Sequence, residues 1–104
     1  MCIRDRHGIE TRVLDLRWLN PLPFEALDRE AARASAVVVV DEARATGGGI
    51  ADAVVAHLAE RGFGRPLASV RAVDSFIPLG PAANRVLVQT EDIVDAVQKV
   101  VAGR

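Results

Sequence analysis

The amino-acid sequence predicts an α/β fold, a three-layer sandwich built on a mainly parallel sheet. Three observations carry this prediction. Five consecutive apolar residues from Ala36 to Val40, four of them valine, end in Asp41 and Glu42 and suit a strand covered on both faces. Strand-like and helix-like patterns alternate along the chain. The connections between them are short enough for right-handed crossovers in a parallel sheet.

Taken in order, Met1, Cys2, Ile3, Arg4, Asp5 and Arg6 fit no periodicity and are expected to be a non-native leader, which leaves residues 7–104 as one domain. Residues 11–17 alternate, with Val13, Asp15 and Arg17 on one side and Leu14 and Leu16 on the other, and predict a strand near a sheet edge. Asn20, Pro21 and Pro23 break the chain. Phe24, Leu27, Ala31 and Ala34 then recur at helical spacing, with charged residues between them. After the strand at 36–41, Gly47, Gly48 and Gly49 permit a sharp turn into a helix that runs to about Arg61, with Ile50, Ala51, Val54, Val55 and Leu58 on one stripe. Gly62 and Gly64 stop it. Residues 67–73 predict a third strand, and residues 74–80 a loop. Pro81 suits the first position of a short helix, where its missing N–H costs nothing. Thr90 is placed to cap the last helix, Glu91 and Asp92 suit the positive end of its dipole, and Ile93, Val97, Val100 and Val101 form its buried face before Gly103.

Composition excludes several functions. Thirteen basic and fourteen acidic side chains are scattered rather than clustered, so there is no electrostatic footprint for nucleic acid or anionic lipid. No apolar run approaches the roughly 18 residues of a membrane helix, and the expectation is a soluble, cytoplasmic protein. A lone Cys2 excludes an internal disulfide or a cysteine-built zinc site. His7 and His57 are too far apart in sequence to form a helical metal pair, and His57 reads as a boundary histidine at the edge of its helix stripe. Ser35, Ser69 and Ser75 lack the flanking glycines of a nucleophile elbow.

Two stretches bear on function. The glycines 47–49 lie at the carboxyl end of a strand and the start of a helix, where backbone amides attract anions. The dinucleotide pattern would need glycine where Asp52 stands, and no Gly-Lys-Ser/Thr follows, so a structural turn is the favoured reading. Asp41 and Glu42 adjoin it, but neighbours on a strand point to opposite faces. A capping, loop-fixing or partner-pairing role for Glu42 is therefore expected over an acid–base pair. The second stretch is the loop at 74–80, in which Phe76, Ile77 and Leu79 are apolar; such a loop folds back on the core or meets another subunit. Trp18, just past a strand end, is either an interface anchor or a core cover.

The series Val13-Leu14-Asp15-Leu16-Arg17-Trp18-Leu19-Asn20-Pro21-Leu22, then Val38-Val39-Val40-Asp41-Glu42, then Thr46-Gly47-Gly48, and finally Asp74-Ser75-Phe76-Ile77-Pro78 resembles the C-terminal domain of transketolase-like thiamine-diphosphate enzymes. It is most similar to the beta-subunit portion of 2-oxo acid dehydrogenases of the branched-chain or pyruvate type, including fused forms. The resemblance implies a domain that builds a homodimer or heterotetramer interface and helps dock a lipoyl acyltransferase core. In such enzymes thiamine diphosphate and magnesium lie between the other domains, so the resemblance implies no catalytic, cofactor-binding or metal residue in this stretch. Its interface or loop candidates are Trp18, Glu42, Thr46, Gly47, Gly48, Gly49, Phe76 and Ile77. The Phe76-Ile77 loop also resembles the ending of deoxyxylulose-phosphate synthase. Alternatives are thus the C-terminal domain of that enzyme or of transketolase, or a stand-alone interaction module. Family members open this domain with a strand and helix ahead of the segment equivalent to Gly8, Ile9 and Glu10. That unit is expected to be missing here, leaving unpaired backbone and exposed apolar surface.

Overall fold

The valine run forms a strand. In the computed structural model, which describes residues 7–103, β1 (Val37–Arg44) pairs in parallel with β2 (Leu67–Ala72). These make the whole sheet among the described residues, and the expected leader lies outside them. Val37 stands opposite Leu67 and Val40 opposite Val70, but Arg44 stands opposite Ala72. Four steps along β1 therefore match two along β2, and the irregularity falls on residues 41–43.

Parallel strands require a crossover, and α2 (Ile50–Glu60) supplies it. The other helices are α1 (Phe24–Ala32) before β1, a 3-10 turn (Gly80–Arg85) after β2, and α3 (Thr90–Ala102) at the end. Leu27 and Ala31 of α1 cluster with Val54 and Leu58 of α2, and Val37, Val39 and Leu67 pack against them. Those three strand residues share one face of the sheet, because side chains alternate along a strand. Val70 and Ala72 fall on the opposite face and are buried outside that cluster, as are Val97 and Val100 of α3. The arrangement is helix, sheet, helix: an α/β fold with parallel strand pairing.

Local chemistry fixes each helix end. α2 closes on Gly62, whose φ of 82° places it in the left-handed region. The Gly62 amide donates to the Ala59 carbonyl at 3.1 Å and the Phe63 amide to the Leu58 carbonyl at 3.0 Å. Phe63 also packs against the cluster containing Leu58, which completes a Schellman motif. α1 ends where the Arg65 guanidinium donates to the carbonyls of Ala31 and Ala32, at 3.2 and 3.3 Å, while it stacks over the Phe63 ring. At α3 the N-cap is Gln89 and not Thr90. The Asp92 carboxylate reaches back to the Gln89 amide at 2.9 Å, so the capping box shifts the start by one residue.

One element differs from expectation. Residues 11–17 form no strand; they run as an irregular segment outside the sheet. Leu16 packs against the α1–α2 cluster, but Val13 is 82% exposed. Alternation makes a segment compatible with a ladder, yet only a neighbouring backbone offering hydrogen bonds makes it a strand.

Candidate functional site

The carboxyl ends of β1 and β2 gather four side-chain contacts that link separate elements. Asp41 sits in the β1 irregularity on the face turned toward α2. One carboxylate oxygen accepts from the Ala43 amide at 3.1 Å, and the other from the Ala51 amide at 2.9 Å. α2 has Gly49 as its N-cap, with no side chain to satisfy its first amides, so Asp41 caps the helix from ten residues upstream. Gly49 makes this possible. A Cβ there would collide with the Ala43 side chain and lie 2.6 Å from the Asp41 carboxylate.

Asp52, in the first turn of α2, accepts from the Gly48 amide at 2.7 Å and pairs with the Arg71 guanidinium from β2. Asp74, just after β2, accepts from the Thr46 amide at 3.0 Å. The Gly48 amide, then Arg71, holds the Asp52 carboxyl below its ordinary pKa of 3.8. The Thr46 amide and hydroxyl, the Ala45 amide and the Arg44 charge hold Asp74 below the same value. A carboxyl whose folded pKa is depressed stabilises the fold above its unfolded pKa, and that contribution disappears as pH falls through the folded value. Thermal stability is therefore expected to decline from about pH 5 downward. The slope should be shallower in Asp52→Asn and Asp74→Asn variants, as read by melting temperature against pH; identical slopes in all three proteins would contradict the assignment.

Glu42 points the other way. Its carboxylate accepts from the Val88 amide at 3.2 Å, in the segment leading into α3, while Asp41 serves α2. The two neighbours thus serve opposite sides of the sheet and do not form an acid–base pair.

The family described as "Transketolase, C-terminal domain" matches residues 4–93. The chain belongs to that family. Among its curated relatives, 1-deoxy-D-xylulose-5-phosphate synthase of Chlorobium luteolum is 36% identical over 76 residues, covering 73% of this chain and 12% of that protein. The pyruvate dehydrogenase E1 component subunit beta of Staphylococcus aureus is 31% identical over 94 residues, covering 88% of this chain and 29% of that subunit. The corresponding subunit of Staphylococcus epidermidis is 32% identical over the same length. This transketolase C-terminal domain thus spans less than a third of the relatives it matches.

In this transketolase C-terminal domain the structure brings Glu42, Thr46, Gly47, Gly48 and Gly49 to one end of the sheet, with the loop carrying Phe76 and Ile77 tied beside them through Asp74. Phe76 is 97% exposed and Ile77 63%. Trp18 belongs elsewhere, to the segment whose Leu16 and Leu22 pack on the α1–α2 cluster, and its own side chain is largely exposed. His57 bridges α1 and α2: it stacks on Phe24 with ring centroids 4.2 Å apart and meets Asp28 at 2.7 Å.

The donors a phosphate would need at the glycine loop are engaged by the protein's own carboxylates, Gly48 by Asp52 and Ala51 by Asp41. These residues do not fit a diphosphate group. Among the described residues no three His, Cys, Asp or Glu side chains are placed to hold a metal ion, and no helix is long and apolar enough to cross a membrane. Sequence reasoning missed the roles of Asp41, Asp52 and Asp74. One signal was available: a helix that opens on glycine without Ser, Thr, Asp or Asn at its N-cap needs an acceptor from another element, and Asp41 ends the preceding apolar run.

Proposed function

We propose that this chain is the C-terminal, subunit-interface domain of a thiamine-diphosphate-dependent 2-oxo acid dehydrogenase. The parent enzyme decarboxylates a 2-oxo acid and transfers the acyl group to a lipoyl group, with thiamine diphosphate and magnesium held by its other domains. The domain itself is a scaffold and is not catalytic; its partners are the other subunits of a homodimer or heterotetramer and the lipoyl acyltransferase core. The observation that carries this reading is the similarity to the E1 beta subunit, which covers 88% of this chain against 73% for the synthase. The exposed side chains of Trp18, Phe76 and Ile77 support an interface role, since large apolar groups left in water are characteristic of surfaces that meet another protein.

A second reading, the C-terminal domain of a deoxyxylulose-phosphate synthase, draws on the higher identity of the shorter match, 36% against 31%. Binding to an acyltransferase core separates the two. Immobilised chain is expected to retain a purified pyruvate dehydrogenase acyltransferase core in a surface-binding assay, and a Phe76→Ser, Ile77→Ser variant to retain at least tenfold less. No retention by the native chain would favour the synthase reading.

A further inference from the structure

The apolar loop after β2 is held at both ends. The Val73 amide donates to the Val86 carbonyl at 3.0 Å, which brings the ends of residues 74–85 together as in an Ω-loop. Two carboxylates then tie this loop to β1 in opposite directions. From the loop, Asp74 accepts the Thr46 amide beyond the end of β1. From β1, Glu42 accepts the Val88 amide just past the far end of the loop. Phe76 and Leu79 lie between the ties at 97% and 95% exposure, with Ile77 partly shielded. Contact with a core does not fix such a tip, so its anchorage has to come from its ends.

We propose that Asp74 and Glu42 are paired positioning residues that clamp the Phe76-Ile77-Leu79 tip in one conformation over the carboxyl end of β1, so that the apolar surface is presented preformed. The β1–α2 turn and the apolar loop then move as one body. The Thr46 amide held by Asp74 belongs to the same turn as the Gly48 amide, which Asp52 holds in its pair with Arg71. A preformed loop loses less conformational entropy when a partner covers it. That consequence for docking rests on the interface reading above, whereas the clamp itself does not.

Backbone 15N relaxation of the full chain tests the clamp with no partner present. In the native protein, the amides of Ser75, Phe76, Ile77 and Leu79 are expected to show order parameters near the rigid value of about 0.85. The Asp74→Ala, Glu42→Ala double variant should drop them below about 0.6, and residues 45–48 should loosen with them, while residues 54–58 of α2 keep native values. Each single variant should loosen both segments in part, and Asp74→Asn, which keeps an acceptor oxygen, should fall between native and Asp74→Ala. A tip already mobile in the native chain overturns the proposal, and so does a tip that stays rigid in the double variant. If the double variant loses its fold, Asp74→Asn decides, because loosening of one segment without the other is also contrary to a shared clamp. An ordered, clamped tip that nevertheless binds no acyltransferase core would leave the clamp standing and remove only the interface reading.

Discussion

Gly49→Ala is expected to destabilise the domain by about 3 kcal/mol, a large share of the stability of a small chain. The cost is steric. Gly49 has φ −103° and ψ 178°, a conformation open to any residue, so alanine is excluded by what its Cβ would strike, namely the Ala43 side chain and the Asp41 carboxylate. Moving Asp41 aside also releases the part-buried Ala43 and Ala51 amides, and a lost hydrogen bond of this kind costs about 0.5–1.5 kcal/mol. Gly48→Ala supplies the contrast. Gly48 has φ 95° with open space where a Cβ would stand, so its substitution costs only the left-handed backbone penalty of about 1–2 kcal/mol. Urea midpoints of the two variants check the order, and a larger loss for Gly48→Ala would contradict the close approach at Gly49 as the cause.

The second large effect concerns the native chain alone. Both outer edges of the two-stranded sheet are unpaired among the described residues, and Val40 on β1 is 47% exposed. Two strands seldom make an independently stable sheet, and free edges invite pairing with another chain. The buried apolar set is small, and its largest members are Leu27 and Leu58. The radius of gyration is 14.2 Å, against about 13 Å for a compact domain of this length. The purified chain is therefore expected to associate as its concentration rises and to melt broadly at low temperature. Sedimentation velocity across a hundredfold concentration range, paired with thermal circular dichroism, measures both. A monomer at every concentration with a sharp two-state melt would contradict this expectation.

Legibility in the sequence followed the reach of each interaction. β1, α2, β2 and α3 are readable because valine runs and helical stripes are local signals, and burial of Val54, Leu58, Val97 and Val100 follows from those stripes. The one-residue error at the start of α3 arose because Gln89 and Thr90 compete for the cap and the Asp92 carboxylate decides between them. The segment 11–17 misled for a different reason: its alternation is a property of the residues, whereas a strand is a property of two backbones. At the candidate site, the turn glycines were visible but the carboxylates that hold them were not. Asp41 reaches Ala51, Asp74 reaches Thr46 and Glu42 reaches Val88, separations of 10, 28 and 46 residues that exist only after the sheet has formed. The same long-range contacts turn a loop that resembles an anion site into one filled by its own side chains.

Isothermal titration calorimetry of the purified chain with thiamine diphosphate and magnesium tests the proposed scaffold role most directly. Heats of dilution alone are expected, since Asp41 and Asp52 already occupy the amides that a diphosphate would require. A saturable heat of binding, abolished by substitution within residues 46–52, would contradict it.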